Sequence, residues 1–374
     1  MRRSVLTVCG ILLGSSVLLG ACGAPNGEGH EEAATEPASS PDPVQPGPTA
    51  TLEPTSEAYT RPAPEELADQ RPNELGWIPI LQYHHFEPNA SQFVRTPEQF
   101  RRDLEWLYRN DFYVIGVHDY LDGHFDVPLG KHPVILTFDD APATQFRLLP
   151  RSDGKLHIDT KTAVGIMEQF FKDHPDFGRG GHFAILPDRT FAWSNVREND
   201  KRQFEYAGTK LYWLMKNGYE IGNHTENHAD LSTLERKEVE RELATANQSL
   251  MEQAPGVEIR VVTLPYGAYP KDGDDVFRGF TYQGNEYAFD GVLQVGANPA
   301  LSPYSAECDK YAIPRIQAFS EQLSYWFEFM EDNPGIIFTS DGDPDTVTVP
   351  RELPGGLAGT LDESRLEGRE LIRY

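Results

Sequence analysis

The 374-residue chain carries 58 acidic against 33 basic residues, for a formal net charge of −25. A polyanion of this kind repels nucleic acid and anionic lipid headgroups, so neither is expected as a partner through charge. With 39% hydrophobic and 11% aromatic residues, the chain holds enough apolar material for one sizeable core, provided that material is concentrated rather than spread.

Arg2 and Arg3 precede an apolar run from Val5 to Leu19, interrupted by Gly14, Ser15 and Ser16 and ending in Leu19-Gly20-Ala21-Cys22. The run is shorter than the roughly 20 apolar residues a spanning helix needs, and residues 1–21 have the layout of a secretion signal. Leu-Gly-Ala-Cys resembles the lipobox of bacterial lipoproteins. That resemblance implies cleavage before Cys22, lipidation of Cys22 and an extracytoplasmic protein held at the cell membrane by its acyl chains. Loss of Arg2 and Arg3 would take the net charge to −27. Cys9 would leave with the signal, so Cys308 would be the remaining unmodified thiol and no intrachain disulfide is expected.

Residues 22–73 are rich in Pro, Glu, Ser, Thr and Ala and nearly devoid of aliphatic and aromatic side chains. Such a segment cannot bury enough apolar surface to offset chain entropy, and it reads as a disordered spacer that lets an anchored domain stand off the membrane.

From Trp77 onward, apolar runs of strand length alternate with stretches of helical periodicity, the α/β pattern. Strands are expected at 78–83, 112–117, 134–138, 182–186, 219–222, 261–264, 291–295, 311–316 and 336–339. Helices are expected at 162–174, 201–217, 233–252 and 322–332. A further helix opens on Thr96-Pro97-Glu98-Gln99, a capping box with Pro in the first helical position; Ser232-Thr233-Leu234-Glu235 has the same form. Residues 74–350 make one domain of α/β-barrel size, with 351–374 as a charged tail. Chemistry in such barrels lies on the loops after strand C-termini.

Two strand ends carry chemistry. Val134-Ile135-Leu136-Thr137-Phe138 runs into Asp139-Asp140; adjacent side chains diverge, so one carboxylate can face a metal while the other faces substrate or water. Tyr219-Glu220-Ile221-Gly222-Asn223 runs into His224-Thr225-Glu226-Asn227-His228, whose imidazoles are spaced to converge on one ion. A carboxylate with two imidazoles leaves open positions for water and suits catalytic zinc, or another borderline divalent ion such as cobalt or nickel.

Taken with Thr263-Leu264-Pro265-Tyr266-Gly267 and Gln82-Tyr83-His84-His85, these motifs resemble, in order, those of the NodB-homology polysaccharide deacetylases, carbohydrate esterase family 4. The resemblance implies a distorted (β/α)7-type barrel. It implies that Asp140, His224 and His228 hold the metal, that Asp139 is the general base and that the Tyr266 backbone N–H completes an oxyanion hole. The implied reaction is hydrolytic removal of acetyl groups from an N-acetylated cell-envelope polysaccharide by a monomer.

Three positions depart from the family pattern. Ala141 stands where glycine is common, and Thr263 where the arginine that orients the base normally falls; Arg315 in Ile313-Pro314-Arg315-Ile316 is the candidate replacement. No histidine follows His228, so the late histidine that serves many members as general acid is absent, and His84, His85 or a metal-bound water is the candidate source of that proton. An O-acetyl esterase, or a barrel that binds glycan without turnover, stays open at this level.

Overall fold

The computed structural model describes residues 69–193, 198–352 and 359–374. The expected signal, Cys22 and nearly all of the expected spacer lie outside these residues. Eight strands build the main sheet: β1 (Ile80–Tyr83), β2 (Phe112–Ile115), β3 (His132–Phe138), β4 (His182–Ile185), β5 (Glu220–Asn223), β6 (Val261–Thr263), β7 (Gly291–Leu293) and β8 (Ile316–Gln317). Every pairing is parallel, in the order β7-β6-β5-β4-β3-β1-β8, with β2 on the first half of β3.

The sheet curls until its ends share one segment. Ile313 bridges Leu293 of β7, exchanging hydrogen bonds with Val292 and Gln294, and three residues later Ile316 pairs with Leu81 of β1. Residues 313–317 thus close a distorted barrel. Pro314, which lacks an N–H, explains why the strand expected over 311–316 survives only as a bridge and a two-residue strand.

Strand alternation sorts the side chains. Ile80, Ile135, Val261 and Leu293 pack together in one apolar cluster, while Leu81, Val134, Leu136 and Phe138 belong to a second cluster shared with the helices. Continuing the inward set along β1 and β3 puts Gln82, Thr137 and Asp139 toward the interior at the C-terminal end of the strands.

Helices α1 (Pro97–Arg109), α2 (Val117–Asp122), α3 (Ala163–Asp173), α4 (Ala207–Lys216), α5 (Arg236–Gln253) and α6 (Ser320–Asp332) follow or connect the strands. The capping box forms as expected on α1: the Gln99 N–H donates to the Thr96 hydroxyl at 3.1 Å and the Thr96 N–H to the Gln99 side chain at 2.8 Å. Phe100 of α1 is fully buried among the rings of Tyr83, Phe86 and Phe138. Phe100→Ala is expected to destabilise the fold by about 3–5 kcal/mol, read as a lower midpoint in urea unfolding with an unchanged slope.

Several boundaries differ from the sequence expectation. The second capping box does not form, because Asp230 takes the Ser232 N–H and winds 231–233 into a short 3-10 turn; α5 starts later, with the Glu235 N–H donating to Glu238. The first half of the helix expected at 201–217 is a 3-10 helix over 198–206. Residues 336–339 form single bridges to Asn73 and Trp77 instead of a barrel strand. Asn73 is therefore buried in the domain although it was expected to end the spacer. The segment expected as a tail returns to the domain: Glu370–Arg373 pairs in parallel with Thr346–Val349, and Leu366 is buried.

Candidate metal centre and active site

Asp139 and Asp140 follow β3 directly, and their carboxylates diverge. Asp139 turns into the barrel. At Asp140 and Ala141 the backbone flips to φ 71° and 47°, and Thr225, His228 and Tyr266 are also left-handed, at 65°, 56° and 59°. These five are half of the ten non-glycine residues with positive φ among those described. Such conformations cost on the order of 1 kcal/mol or more each and persist where surrounding structure imposes them, commonly at functional sites.

The flip brings Asp140 to the two imidazoles. Its Oδ1 lies 3.2 Å from His224 Nε2 and 3.3 Å from His228 Nε2, and one donor atom from each residue falls within 4.8 Å of the others. His224 Nδ1 sits 2.8 Å from the Thr263 carbonyl, which can only accept, so Nδ1 carries a proton and Nε2 is the nitrogen turned to the carboxylate. His228 Nδ1 is 3.0 Å from the Tyr266 hydroxyl. A carboxylate oxygen facing two ring nitrogens is a set of acceptors that requires a cation or a proton. The three donors, the Thr263 carbonyl that orients His224 and the half-open position of His228 fit a divalent ion.

Without the ion, burial would depress His224, but the Asp140 hydrogen bond and both carboxylate charges outweigh it and hold the imidazole above its ordinary 6.5. Asp140, despite burial, is held far below the usual carboxylate range by the same hydrogen bonds. The signs follow. A raised His224 adds stability to the metal-free chain that is complete below pH 6.5 and is lost as pH rises through its folded value. Metal must displace that proton, so affinity moves the other way. Metal affinity is expected to fall about tenfold per pH unit below the folded His224 value, measurable by zinc competition titrations across pH.

Asp139 is almost fully buried and ringed by donors. Arg315, itself without solvent exposure, donates in bidentate fashion from Nη1 to Oδ1 at 2.7 Å and from Nη2 to Oδ2 at 2.8 Å. Gln82 Nε2 donates to Oδ2 at 2.7 Å. The Arg315 fork is fixed in turn by the Gln294 carbonyl at 2.7 Å and the Thr137 hydroxyl at 3.0 Å. Burial pushes Asp139 up, but the Arg315 charge and hydrogen bonds more than reverse this and hold it well below the ordinary range. It is ionised throughout the neutral range. Thr263 contributes its carbonyl to His224, and Arg315 approaches from the closing segment 313–317.

Gln82 and Gln145 escaped sequence reasoning as site residues. Gln145 Nε2 donates to the backbone carbonyls of His84 at 2.8 Å and of Asp139 at 2.6 Å, clamping the C-terminal ends of β1 and β3 together. Gln82 was legible in principle, since it continues the inward alternation from Ile80.

His84 Nε2 is 3.9 Å from Asp139 Oδ2, and burial pushes its pKa below 6.5 against the raising effect of both aspartates. His85 flanks the other side: its ring meets Trp193 edge-on at 4.9 Å, and Trp193 Nε1 donates to the Asp140 carbonyl at 3.0 Å. Tyr266 is exposed beside His228, its ring 4.6 Å from the imidazole. Tyr269 is a packing residue, its hydroxyl spent on the Tyr311 carbonyl. Cys308 is buried against the Tyr120 hydroxyl, far from this chemistry in role.

Fold and site together define a parallel α/β barrel with a His2Asp cluster and an arginine-held carboxylate at the C-terminal end of its strands. Residues 201–284, which contain His224, His228 and Tyr266, match the family model for polysaccharide deacetylase. A chitooligosaccharide deacetylase of Sinorhizobium fredii (strain NBRC 101917 / NGR234) is 36% identical over 59 residues, 16% of this chain and 27% of the relative. One from Bradyrhizobium sp. (strain ANU 289) matches to the same extent. The alignment thus spans about a quarter of the length of these curated relatives. Among solved structures, a Streptococcus pyogenes deacetylase in complex with acetate covers 68% of this chain and 98% of its own, at 16% identity and TM-score 0.49. A polysaccharide deacetylase from Bacillus cereus covers 67% and 69%, at 14% identity and TM-score 0.49.

Proposed function

We propose that this chain is a metal-dependent polysaccharide N-deacetylase, and that Asp139, poised beside the Asp140, His224 and His228 cluster, is its general base. The observation that carries the reading is the division of two adjacent carboxylates between different partners, one turned to two imidazoles and the other to a buried guanidinium.

A divalent ion held by Asp140, His224 and His228 would supply Lewis-acid polarisation of the acetyl carbonyl and a lowered pKa for water. Zinc matches this donor set best. Asp139 takes the proton of the attacking water. Of its roughly four acceptor positions, Arg315 and Gln82 occupy three, which leaves one on Oδ1. Arg315 and Gln82 orient that lone pair, so the low proton affinity of the carboxylate is offset by placement. The Tyr266 N–H donates to the oxygen that becomes negative as hydroxide adds to the carbonyl carbon. The C–N bond then breaks, and the proton collected by Asp139 reaches the departing nitrogen with His84 as its carrier, giving free amine and acetate.

The substrate class is an N-acetylhexosamine polymer of the cell envelope. Lipidation at Cys22 and export by residues 1–21 would hold the enzyme near such a polymer, and mass spectrometry of the mature N-terminus tests this directly. For the activity, acetate release is measured from chitooligosaccharides and from acetylated xylan, before and after chelation and zinc replacement. Chelator-sensitive release from the N-acetylated substrate is expected. Release from the O-acetylated one alone assigns an esterase, and release from neither rejects the reading.

A further inference from the structure

Helix α5 follows the segment that carries both imidazoles, and two of its polar side chains reach back into that segment. Glu242 and Asn247 are both buried, at 2% and 8% exposure. Glu242 grips Asn227 with its two oxygens: the main-chain N–H of Asn227 donates to Oε2 at 3.0 Å, and the side-chain Nδ2 of Asn227 donates to Oε1 at 3.0 Å. Arg241, largely exposed, donates to the same Oε1 at 2.7 Å and supplies the counter-charge. A carboxylate is costly to bury unless it is paired and hydrogen-bonded, and here the hydrogen bonds go to the residue that precedes His228.

Asn247 works through the residue that precedes His224. Its Oδ1 accepts from Asn223 Nδ2 at 2.7 Å, and the same Nδ2 donates to the Leu243 carbonyl of α5 at 2.9 Å. The Asn223 side chain is thereby turned so that its Oδ1 accepts the Thr225 N–H at 2.7 Å. The Thr225 hydroxyl in turn accepts the Ala229 N–H at 3.1 Å. Asn223 and Thr225 are fully buried, so this chain of hydrogen bonds is shielded from competing water.

What the helix holds in this way is strained. Thr225 and His228 have φ 65° and 56°, left-handed values that a β-branched and a bulky residue adopt only where the surroundings impose them. We infer that Glu242 and Asn247 are positioning residues of the metal centre, which keep 223–228 in the conformation that brings Nε2 of His224 and of His228 to Asp140. The inference rests on the metal-dependent reading above. Both residues act on the ligands through the backbone, so their contribution is to ion affinity and coordination geometry: donors already in place lose less freedom when the ion arrives. Without the two anchors the segment relaxes toward ordinary φ values and the imidazoles separate.

The test is zinc competition titration of the full chain at fixed pH, with the visible spectrum of the cobalt-loaded chain as a reading of ligand geometry and urea unfolding of the metal-free chain as a reading of stability. Glu242→Ala and Asn247→Ala are each expected to weaken zinc binding about tenfold and to change the cobalt bands; Glu242→Gln, which keeps one acceptor for Asn227, restores part of both. Leu250→Ala, buried on the same helix within the apolar core, is expected to lower the urea midpoint while zinc affinity and the cobalt bands stay those of the wild type. The proposal is overturned if the Glu242 and Asn247 variants lower the urea midpoint with zinc affinity and cobalt bands unchanged, or if Leu250→Ala weakens zinc binding as much as they do. A wild type that binds neither ion overturns it together with the metal centre. Metal binding with these variant effects but without acetate release rejects the deacetylase reading and supports the positioning role.

Discussion

Asp139→Asn is expected to lower acetate release by roughly 10²–10⁴-fold while leaving the bound metal stoichiometry unchanged. The separation follows from the geometry. Asp139 supplies no donor atom to the His2Asp cluster, being held by Arg315 and Gln82, whereas Asp140 is the carboxylate within reach of His224 and His228. Removing the carboxylate charge removes the proton acceptor and keeps the ligands. Metal analysis of the purified variant alongside single-turnover acetate release distinguishes this from a structural effect. Parallel loss of metal and activity would place Asp139 among the ligands and undo the assignment. The pH profile adds an independent sign. Asp139 is held far below neutrality, so the acidic limb of the wild-type profile is expected to follow metal loss at the imidazoles and to shift to lower pH in excess zinc.

The strand ends that carry this chemistry were legible because they combine two readable signals, an apolar run of strand length and a polar pair immediately after it. The candidate ligands Asp140, His224 and His228, which the fold brings together, and the candidate base Asp139 stand in motif order, and Arg315, which the fold brings to Asp139, stands in the strand-like setting of Ile313 to Ile316. What escaped depended on the third dimension. Gln145 reaches the site from a loop and acts through backbone carbonyls, a role no residue pattern announces. The left-handed backbone at Asp140, Thr225, His228 and Tyr266, which aims the ligands, is invisible in side-chain identity because none of these is glycine. The closure of the barrel was likewise hidden. It is made by a five-residue segment interrupted at Pro314 that pairs one neighbour with its first residue and the other with its last two. The misplaced start of α5 has a local cause, two competing capping sequences three residues apart, settled by Asp230 binding the Ser232 N–H.

Arg315→Met is expected to destabilise the fold by about 3–5 kcal/mol at neutral pH, because it leaves Asp139 ionised and buried without its counter-charge. The penalty has a pH dependence of definite sign. In the wild type, Asp139 has a depressed folded value and therefore adds stability above its unfolded value of 3.8, which is lost as pH falls through the folded one. Without Arg315, burial is opposed mainly by the weaker charges of His224 and His84, so the folded value rises and protonation relieves the strain. The deficit of Arg315→Met relative to wild type should shrink as the medium is made acidic. Asp139→Asn has the converse defect, a buried guanidinium left with the Gln294 carbonyl, the Thr137 hydroxyl and one amide oxygen. Combining the two removes both charges. The double variant is therefore expected to be more stable than either single one, with a coupling of opposite sign to the sum of the two losses. Urea unfolding of the four chains at pH 7 and pH 5 measures this. Simple additivity would mean that Arg315 and Asp139 are each stabilised by their other hydrogen bonds, and that the guanidinium is not what keeps the base ionised.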